Sequence, residues 1–171
     1  MRIVGGKFRG KSLTSPADRR VRPTAEHVRT TMLDLLKPDM QKARILDLFA
    51  GTGAMGLEAI SRGARSADFV EFGLGSLHSL KANVATLGLK EKTRIFKRDA
   101  VLFLESCKPL SYEIVFADPP YEFKIHERLI GSWLAGRVSP ILVVEHSSKQ
   151  ELPHPATRQL FGDTAVSIYR A

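Results

Sequence analysis

Hydrophobic residues follow two alternating patterns through the middle of the chain. Short, nearly continuous apolar runs, typical of strands buried on both faces of a sheet, predict strands at 44–49, 67–71, 93–97, 112–117 and 141–145. Between these runs, apolar residues recur at the spacing of one helix face, which predicts helices. The alternation predicts the α/β class: a doubly wound, mostly parallel, Rossmann-like sheet with helices on both faces.

The two ends of the chain carry different patterns. Residues 157–161 and 165–169, on either side of Gly162-Asp163, predict a closing hairpin that adds one antiparallel strand to the sheet. Near the start, glycines at 5, 6 and 10 between half-apolar runs predict a small β-hairpin, with a flexible tail as the alternative. A helix with one apolar face follows and stops at Lys37-Pro38. We therefore predict a hairpin and helix extension at 1–41 and a main domain at 42–171.

Composition narrows the class of protein. The chain has 171 residues, 43% of them hydrophobic, which is enough to bury a sizeable core. Its one cysteine, Cys107, excludes an internal disulfide framework and lies in an apolar pattern typical of a buried thiol. No apolar run approaches the ~20 residues that span a bilayer, and the histidines show no metal-site spacing with Cys107. We expect a soluble, cytoplasmic protein with no metal and no membrane partner.

Positive charge is concentrated at the start of the chain. The net charge is +8, and residues 1–22 carry six of these charges. The cations of this segment are Arg2, Lys7, Arg9, Lys11, Arg19, Arg20 and Arg22, against Asp18 alone. Because phosphate contacts supply affinity without sequence selectivity, a basic arm on a nucleotide-binding domain favours a nucleic-acid partner. Solubility alone is the competing explanation for such an arm.

A glycine turn follows the first predicted strand of the sheet. Gly51 and Gly53 can adopt positive φ and let a ligand approach the backbone, and Gly56 lets the next helix approach the sheet. Three glycines at this spacing are a weak signal alone. Here Glu71 ends the next apolar run, 20 residues after Gly51, where an acidic residue can accept hydrogen bonds from a ribose. We therefore predict a nucleotide site over the turn in preference to a purely structural turn.

The chemistry depends on Asp118-Pro119-Pro120-Tyr121 at the carboxyl end of the fourth predicted strand. Two prolines fix φ and remove two backbone donors, so the Asp118 carboxylate and the Pro119 carbonyl form a rigid pair of acceptors. Such a pair suits an exocyclic base amine, because it can hold both hydrogens and stabilise the positive charge that develops during attack. Tyr121 would stack on an extruded base. The alternative is a strand-exit turn with an aromatic plug.

Asp99 is a further candidate, since it follows the third predicted strand. At that position its carboxylate could accept a hydrogen bond from the amino group of an adenine. The alternative role is that of a helix N-cap.

These motifs together resemble class I S-adenosylmethionine-dependent methyltransferases that modify amines. The resemblance is to the bacterial small-subunit ribosomal RNA guanine-N2 methyltransferase family, RsmD, and covers essentially the whole chain. It rests on Gly5-Gly6-Lys7-Phe8-Arg9-Gly10, on Arg22-Pro23-Thr24, on Leu46-Asp47-Leu48-Phe49-Ala50-Gly51-Thr52-Gly53 and on Asp118-Pro119-Pro120-Tyr121. It implies a seven-strand sheet, S-adenosylmethionine as cofactor, and methylation of one guanine in small-subunit ribosomal RNA within a protein-bound assembly particle.

The resemblance also implies a role for each matching position. Asp47 and the turn from Gly51 to Gly53 would face the methionine part of the cofactor, Glu71 its ribose, and Asp99 with Ala100 its adenine. Asp118, Pro119, Pro120 and Tyr121 would hold the target amine. From the charge distribution we predict separately that the extension binds RNA through Lys7, Arg9, Arg19, Arg20 and Arg22, and we expect residues 42–171 to be the catalytic domain of a monomer.

Three other functions compete with this one. Tyr121 departs from the phenylalanine expected in this family and is common in adenine-N6 methyltransferases, so adenine in RNA or DNA is an alternative target. An NAD-dependent dehydrogenase would share the glycines and Glu71, but it usually needs a second domain, for which no residues remain. A non-catalytic RNA-binding module would explain the basic arm but would not need the motif that begins at Asp118.

Overall fold

The computed structural model describes residues 1–16, 23–120 and 122–171. In chain order the helices and strands are α1 (Pro23–Leu35), α2 (Lys37–Met40), β1 (Arg44–Leu48), α3 (Ala54–Ser61), β2 (Ser66–Val70), α4 (Leu74–Thr86), β3 (Thr93–Phe96), α5 (Ala100–Glu105), β4 (Ile114–Ala117), α6 (Phe123–Gly136), β5 (Ile141–Ser147), β6 (Thr157–Phe161) and β7 (Thr164–Arg170). None of the described helices combines the length and apolar character that a membrane span requires.

The strands form one seven-strand sheet in the order β3-β2-β1-β4-β5-β7-β6. The five strands from β3 to β5 are parallel, and β7 is antiparallel to both of its neighbours. The predicted α/β fold with one antiparallel strand is confirmed. The chain moves outward from β1 to β2 and β3 and then returns to β4, so the strand order reverses between β1 and β4. Ligands of open α/β sheets bind at the carboxyl ends of the strands at this point.

Predicted strand limits differ from the observed ones by one or two residues. Strand β4 begins at Ile114, because the preceding residue Glu113 binds the side chain and backbone of Arg44 outside the ladder. Strand β5 continues to Ser147, because β7 pairs with it as far as Thr164. The N-terminal hairpin contains a single antiparallel bridge, between Arg2 and Ser12.

The N-terminal hairpin packs along α3. At its turn, the amides of Lys7 and Phe8 donate to the carbonyl and hydroxyl of Ser61, the last residue of α3, at 2.8 and 2.9 Å. Gly6 has φ 77°, and a Cβ at this position would overlap the carbonyl of Ser61. Glycine at position 6 is therefore required both by the backbone conformation and by the contact with the helix.

Each face of the sheet has its own apolar core. On one face, Ile45, Phe69 and Phe116 of the sheet pack with α1, α3 and α4. On the other, Leu46, Val115 and Val144 belong to a cluster with residues of α5 and α6, including the fully buried Trp133. Residues of the N-terminal extension, among them Ile3, Leu13, Val28, Met32 and Leu36, belong to the first of these cores. The extension and the main domain therefore share one packed interior.

Gly56 allows α3 to lie directly on the sheet, which leads to a stability prediction. A Cβ at Gly56 would lie 2.5 Å from Cε1 and 2.9 Å from Cζ of the buried Phe69 ring. We expect Gly56→Ala to lower the free energy of unfolding by about 1–3 kcal/mol through overpacking. Gly131→Ala is the matched control, because nothing lies within 4 Å of a Cβ there on α6, and alanine should stabilise that helix by about 0.5–1 kcal/mol. Urea unfolding measures both, and a Gly56→Ala protein as stable as the parent would contradict the predicted clash.

Candidate active site

A cavity of about 270 Å³ lies at the carboxyl edge of the sheet, where the strand order reverses. It is lined by the glycine turn after β1, by the ends of β4 and β5, and by α1. Three of the predicted site residues line it together: Asp47, Gly51 and Asp118. The topology explains this grouping, because β1 and β4 are neighbours and pair in the register Asp47 to Phe116 and Leu48 to Ala117.

The turn after β1 has an unusual backbone. Phe49, Gly51 and Gly53 have φ values of 57°, 56° and 78°. Nothing lies within 4 Å of a Cβ built on Gly51, whereas a Cβ on Gly53 would overlap the Leu80 side chain of α4. Gly51 thus leaves the cavity side of the turn open, and Gly53 fits the turn against the core. Phe49 is a non-glycine residue in a sparsely populated conformation beside the cavity, a kind of backbone strain that is concentrated at functional sites.

Asp47 is buried at the end of β1, and its Oδ2 accepts the amide N–H of Gly56 at 2.9 Å. The pKa of Asp47 is raised to about 8, mainly by burial and in smaller part by the negative charges of Asp118 and Glu71, while the bond from the Gly56 amide lowers it. In the ligand-free protein near pH 7, Asp47 is therefore predominantly protonated.

Glu71 follows β2 and is bonded entirely to backbone amides. Its Oε2 accepts from Gly51 at 2.7 Å, and its Oε1 accepts from Phe72 at 2.9 Å and from Gly73 at 2.6 Å. Glu71 thus joins the glycine turn to the start of α4. A carboxylate oxygen has two lone pairs, so Oε2 keeps one position for a further donor. Binding of a ribose hydroxyl there stays a prediction.

Asp99 and Ala100 follow β3 and begin α5. Oδ1 of Asp99 accepts the amide N–H of Leu102 at 2.9 Å, so Asp99 is the N-cap of α5. Ala100 is buried behind it. The alternative role of Asp99, that of a helix N-cap, is therefore present. The bond to Leu102 uses only one of the two carboxylate oxygens of Asp99. A role toward adenine stays a prediction for both residues, which lie outside the lining of the cavity.

Asp118 comes directly after β4, and its side chain lies at the rim of the cavity, open to solvent on one side. Desolvation by the surrounding protein atoms raises the pKa of Asp118 to about 6. Pro119 is buried, Pro120 is exposed, and the carbonyl of Pro120 accepts the amide of Glu122 at 2.6 Å. No described residue donates to the carbonyl of Pro119. The carboxylate and this carbonyl thus remain available as acceptors, while Tyr121 lies outside the described residues.

Sequence analysis missed Arg29 of α1, which lines the cavity and is 4% exposed. Its Nε donates to Oε2 of Glu58 at 2.7 Å, and its Nη2 donates to the carbonyl of Arg2 at 2.7 Å. Glu58 is fully buried on α3 and also accepts from Arg62. In the sequence, Arg29 and Glu58 interrupt the apolar faces of two helices with opposite charges, which indicates a buried ion pair but not its place beside the cavity. Glu145 of β5 also lines the cavity and was not among the predicted site residues.

The two predicted RNA-binding cations that the structure describes do not line the cavity. Lys7 and Arg9 are exposed on the hairpin turn, which contacts the last residue of α3. Helix α3 begins at the glycine turn and has eight residues, so its far end lies about 12 Å away. Arg19, Arg20 and Arg22 lie outside the described residues. Within the described ranges, no group of three histidine, cysteine or acidic side chains could hold a metal ion.

Comparison with known proteins gave matches over almost the whole chain. A family model described as "Conserved hypothetical protein 95" matches residues 1–169. "Ribosomal RNA small subunit methyltransferase D" of Escherichia coli (strain K12) is 37% identical over 181 residues, covering 99% of this chain and 89% of that protein. The protein YlbH of Bacillus subtilis (strain 168) is 30% identical, with coverage of 99% and 98%. The solved structure of yhhF from Escherichia coli superimposes with a TM-score of 0.87 at 34% identity, covering 99% of this chain and 97% of that one.

Proposed function

Because this chain belongs to the ribosomal RNA small subunit methyltransferase D family, we propose that it transfers a methyl group from S-adenosylmethionine to the exocyclic N2 amine of a guanine in small-subunit ribosomal RNA. The observation that carries the proposal is that Asp118 and the glycine turn at Gly51 line the same cavity. A methyl donor and an amine held by these two elements would meet inside that cavity.

Residues of the turn and of the adjacent strand ends would hold the cofactor. The open face of Gly51 fits the methionine part, with Asp47 beneath it, and the remaining lone pair of Glu71 suits a ribose hydroxyl. Asp99 and Ala100, at the end of the neighbouring strand β3, would lie near the adenine. When bound, S-adenosylmethionine supplies an electrophilic methyl group on a positively charged sulfur.

Asp118 and Pro119 would act on the amine. Each N–H of the exocyclic nitrogen can donate to one acceptor, the Asp118 carboxylate or the Pro119 carbonyl, and the nitrogen lone pair then points away from both. The carboxylate would stabilise the positive charge that develops on the nitrogen as it accepts the methyl group. The nitrogen must finally lose one proton, and the Asp118 carboxylate, which would already accept one of its N–H groups, would take it. Its pKa of about 6 keeps it mostly ionised at neutral pH.

The nucleic-acid substrate can be tested separately from the chemistry. We propose that the enzyme works as a cytoplasmic monomer on a protein-bound assembly particle of the small subunit rather than on free RNA. Transfer of labelled methyl groups to unmodified small subunits should exceed transfer to the same RNA stripped of protein. Equal labelling of both would contradict the particle as substrate, and labelling of neither would contradict the proposed function.

The choice of cofactor distinguishes this proposal from the dehydrogenase alternative. Titration calorimetry should detect S-adenosylhomocysteine binding and no NADH binding. The reverse result would favour a dehydrogenase.

Cofactor affinity should depend on pH through Asp47. S-adenosylmethionine carries a net positive charge, so binding favours the ionised form of a carboxyl whose pKa is about 8 in the free protein. Below pH 8 this carboxyl must release a proton on binding, so affinity should rise with pH by up to about tenfold per pH unit and level off above pH 8. S-adenosylhomocysteine lacks the sulfonium charge and should show a weaker dependence.

The matched variant for this test is Asp47→Asn, which keeps an acceptor for the Gly56 amide and removes the titrating group. Its affinity for S-adenosylmethionine should be lower and nearly independent of pH between 6 and 8. Calorimetry at three pH values measures both proteins. An unaltered pH profile in Asp47→Asn would exclude Asp47 as the titrating group.

A further inference from the structure

A second concave surface lies between α4 and β3, about 390 Å³ in volume, and is called here the α4–β3 groove. It is lined by Leu74, Leu77, His78, Lys81, Ile95 and Lys97. The less exposed side chains of Leu77 and Ile95 form its floor, and Leu74 and the three basic side chains are exposed. None of these three forms an ion pair with a described carboxylate. The groove therefore presents two lysines without a described carboxylate partner, Lys81 and Lys97, beside apolar side chains.

The groove opens at the same edge of the sheet as the candidate active site. Leu74 begins α4 just after the end of β2, and Lys97 comes directly after β3. Both residues thus lie at the carboxyl ends of parallel strands, as Asp118 does. Leu74 is 72% exposed, and its neighbour Phe72 is 70% exposed. Large apolar side chains exposed together on a soluble protein mark a contact surface.

The basic arm at the start of the chain packs against α4 through residues that do not line the groove. The amide of Thr14 donates to Oδ1 of Asn83 on α4 at 2.7 Å, and Nδ2 of Asn83 donates back to the Thr14 carbonyl at 3.0 Å. Pro16 lies 4.0 Å from a Cβ built on Gly75, in the first turn of α4. Residues 14–16 of the arm therefore contact α4 at Asn83 and Gly75. By contrast, the described cations Lys7 and Arg9 lie at the far end of α3.

The chain segment that contains the groove is rich in positive charge. Residues 74–98 contain six lysines and arginines and one acidic residue, Glu91. All six cations are exposed, and among the described side chains only Arg94 is neutralised by an ion pair, with Asp68. This segment is therefore a second basic surface, separate in sequence from the N-terminal arm.

We infer that the α4–β3 groove binds a stretch of substrate RNA away from the target nucleotide, with Lys81 and Lys97 on phosphates and the exposed Leu74 against a base or sugar. The inference rests on the proposed function for the identity of the RNA. RNA fits the surface because it combines a regular array of negative charges with flat apolar bases. An acidic protein segment would use the lysines but would leave the apolar floor without a purpose.

The test compares two double variants that lose the same charge. Lys81→Gln with Lys97→Gln alters the groove, whereas Lys42→Gln with Lys108→Gln alters two exposed lysines that precede β1 and β4 at the opposite edge of the sheet. Filter binding of unmodified small subunits at several salt concentrations gives the slope of log affinity against log salt. Each lost phosphate contact should reduce this slope by about 0.7 to 0.9. The groove variant should therefore lose roughly 1.4 to 1.8, and the control should match the parent.

A third variant separates base contact from phosphate contact. Leu74→Ser should weaken binding of subunits without changing the salt slope, because no charge is lost. Calorimetry with S-adenosylhomocysteine should give parental affinity in all variants. A groove variant with the parental salt slope, or a control with an equally reduced slope, would exclude the groove as an RNA-binding surface. Methyl transfer by the parent protein would in that case still support the proposed function. A parent protein that neither binds nor methylates subunits would overturn both.

Discussion

Replacing Asp118 by alanine should lower the rate of methyl transfer by about three orders of magnitude, comparable to the loss of one preorganised polar group from an active site. The carboxylate lies at the cavity rim beside the open Gly51 turn. Its removal takes away one of two acceptors for the amine and the negative charge that offsets positive charge on nitrogen. Asp118→Asn should be nearly as inactive, because its amide keeps the shape but loses the charge.

The binding of cofactor should survive these changes. Asp118 would contact the substrate amine rather than the cofactor, so calorimetry should give affinities for S-adenosylhomocysteine within a few-fold of the parent. Asp163→Ala, at an exposed position in the turn between β6 and β7, is the matched control for loss of an acidic residue. Turnover of Asp118→Ala within a few-fold of the parent would exclude the proposed role.

Breaking the buried ion pair between Arg29 and Glu58 should destabilise the whole fold. Arg29 is 4% exposed and Glu58 is fully buried, and their side chains meet at 2.7 Å. Arg29→Met leaves Glu58 with Arg62 as its remaining described partner, and Glu58→Met leaves a cation buried beside the cavity. Glu58→Met should lower the free energy of unfolding by about 3–5 kcal/mol, because Arg29 is left buried without a described carboxylate partner. Arg29→Met should cost less, because Arg62 still pairs with Glu58.

The double variant distinguishes a lost partner from lost packing. Arg29→Met with Glu58→Met removes both charges and fills similar volume, so its stability should recover to near that of the parent. The exposed pair Arg128 and Glu105 is the matched control, and its removal should have little effect because solvent screens it. Urea unfolding of all variants gives the coupling. Strictly additive losses in the double variant would contradict an energetic coupling between the two side chains.

Much of the fold followed from the sequence because strands buried on both faces produce apolar runs that few other structures produce. The same runs located Glu71 and Asp118, since each acidic residue stands where an apolar run ends. Parallel topology then brings the ends of neighbouring strands to one edge. Asp47, Gly51 and Asp118 therefore share a cavity, as the motifs indicated.

The features of the site that the sequence did not predict depend on how separate helices and strands pack together. Arg29 belongs to the site only because α1 packs beside the cavity, and no local pattern specifies that contact. Lys7 and Arg9 were predicted from charge alone, but hydrogen bonds to Ser61 hold their hairpin turn at the far end of α3. Lys81 and Lys97 are separated along the chain and approach each other only because α4 packs against β3. Charge counts over a sequence window could not detect that surface.

The identity of the methylated nucleoside distinguishes guanine-N2 methylation from the alternative reactions. Small subunits that lack the modification are incubated with the protein and S-adenosylmethionine carrying a deuterated methyl group, and the digested RNA is analysed by mass spectrometry. We expect the label to appear in N2-methylguanosine, at a single nucleotide, and to be absent when the Asp118→Ala protein is used. Label in N6-methyladenosine, or ribosomal RNA without label, would contradict this expectation.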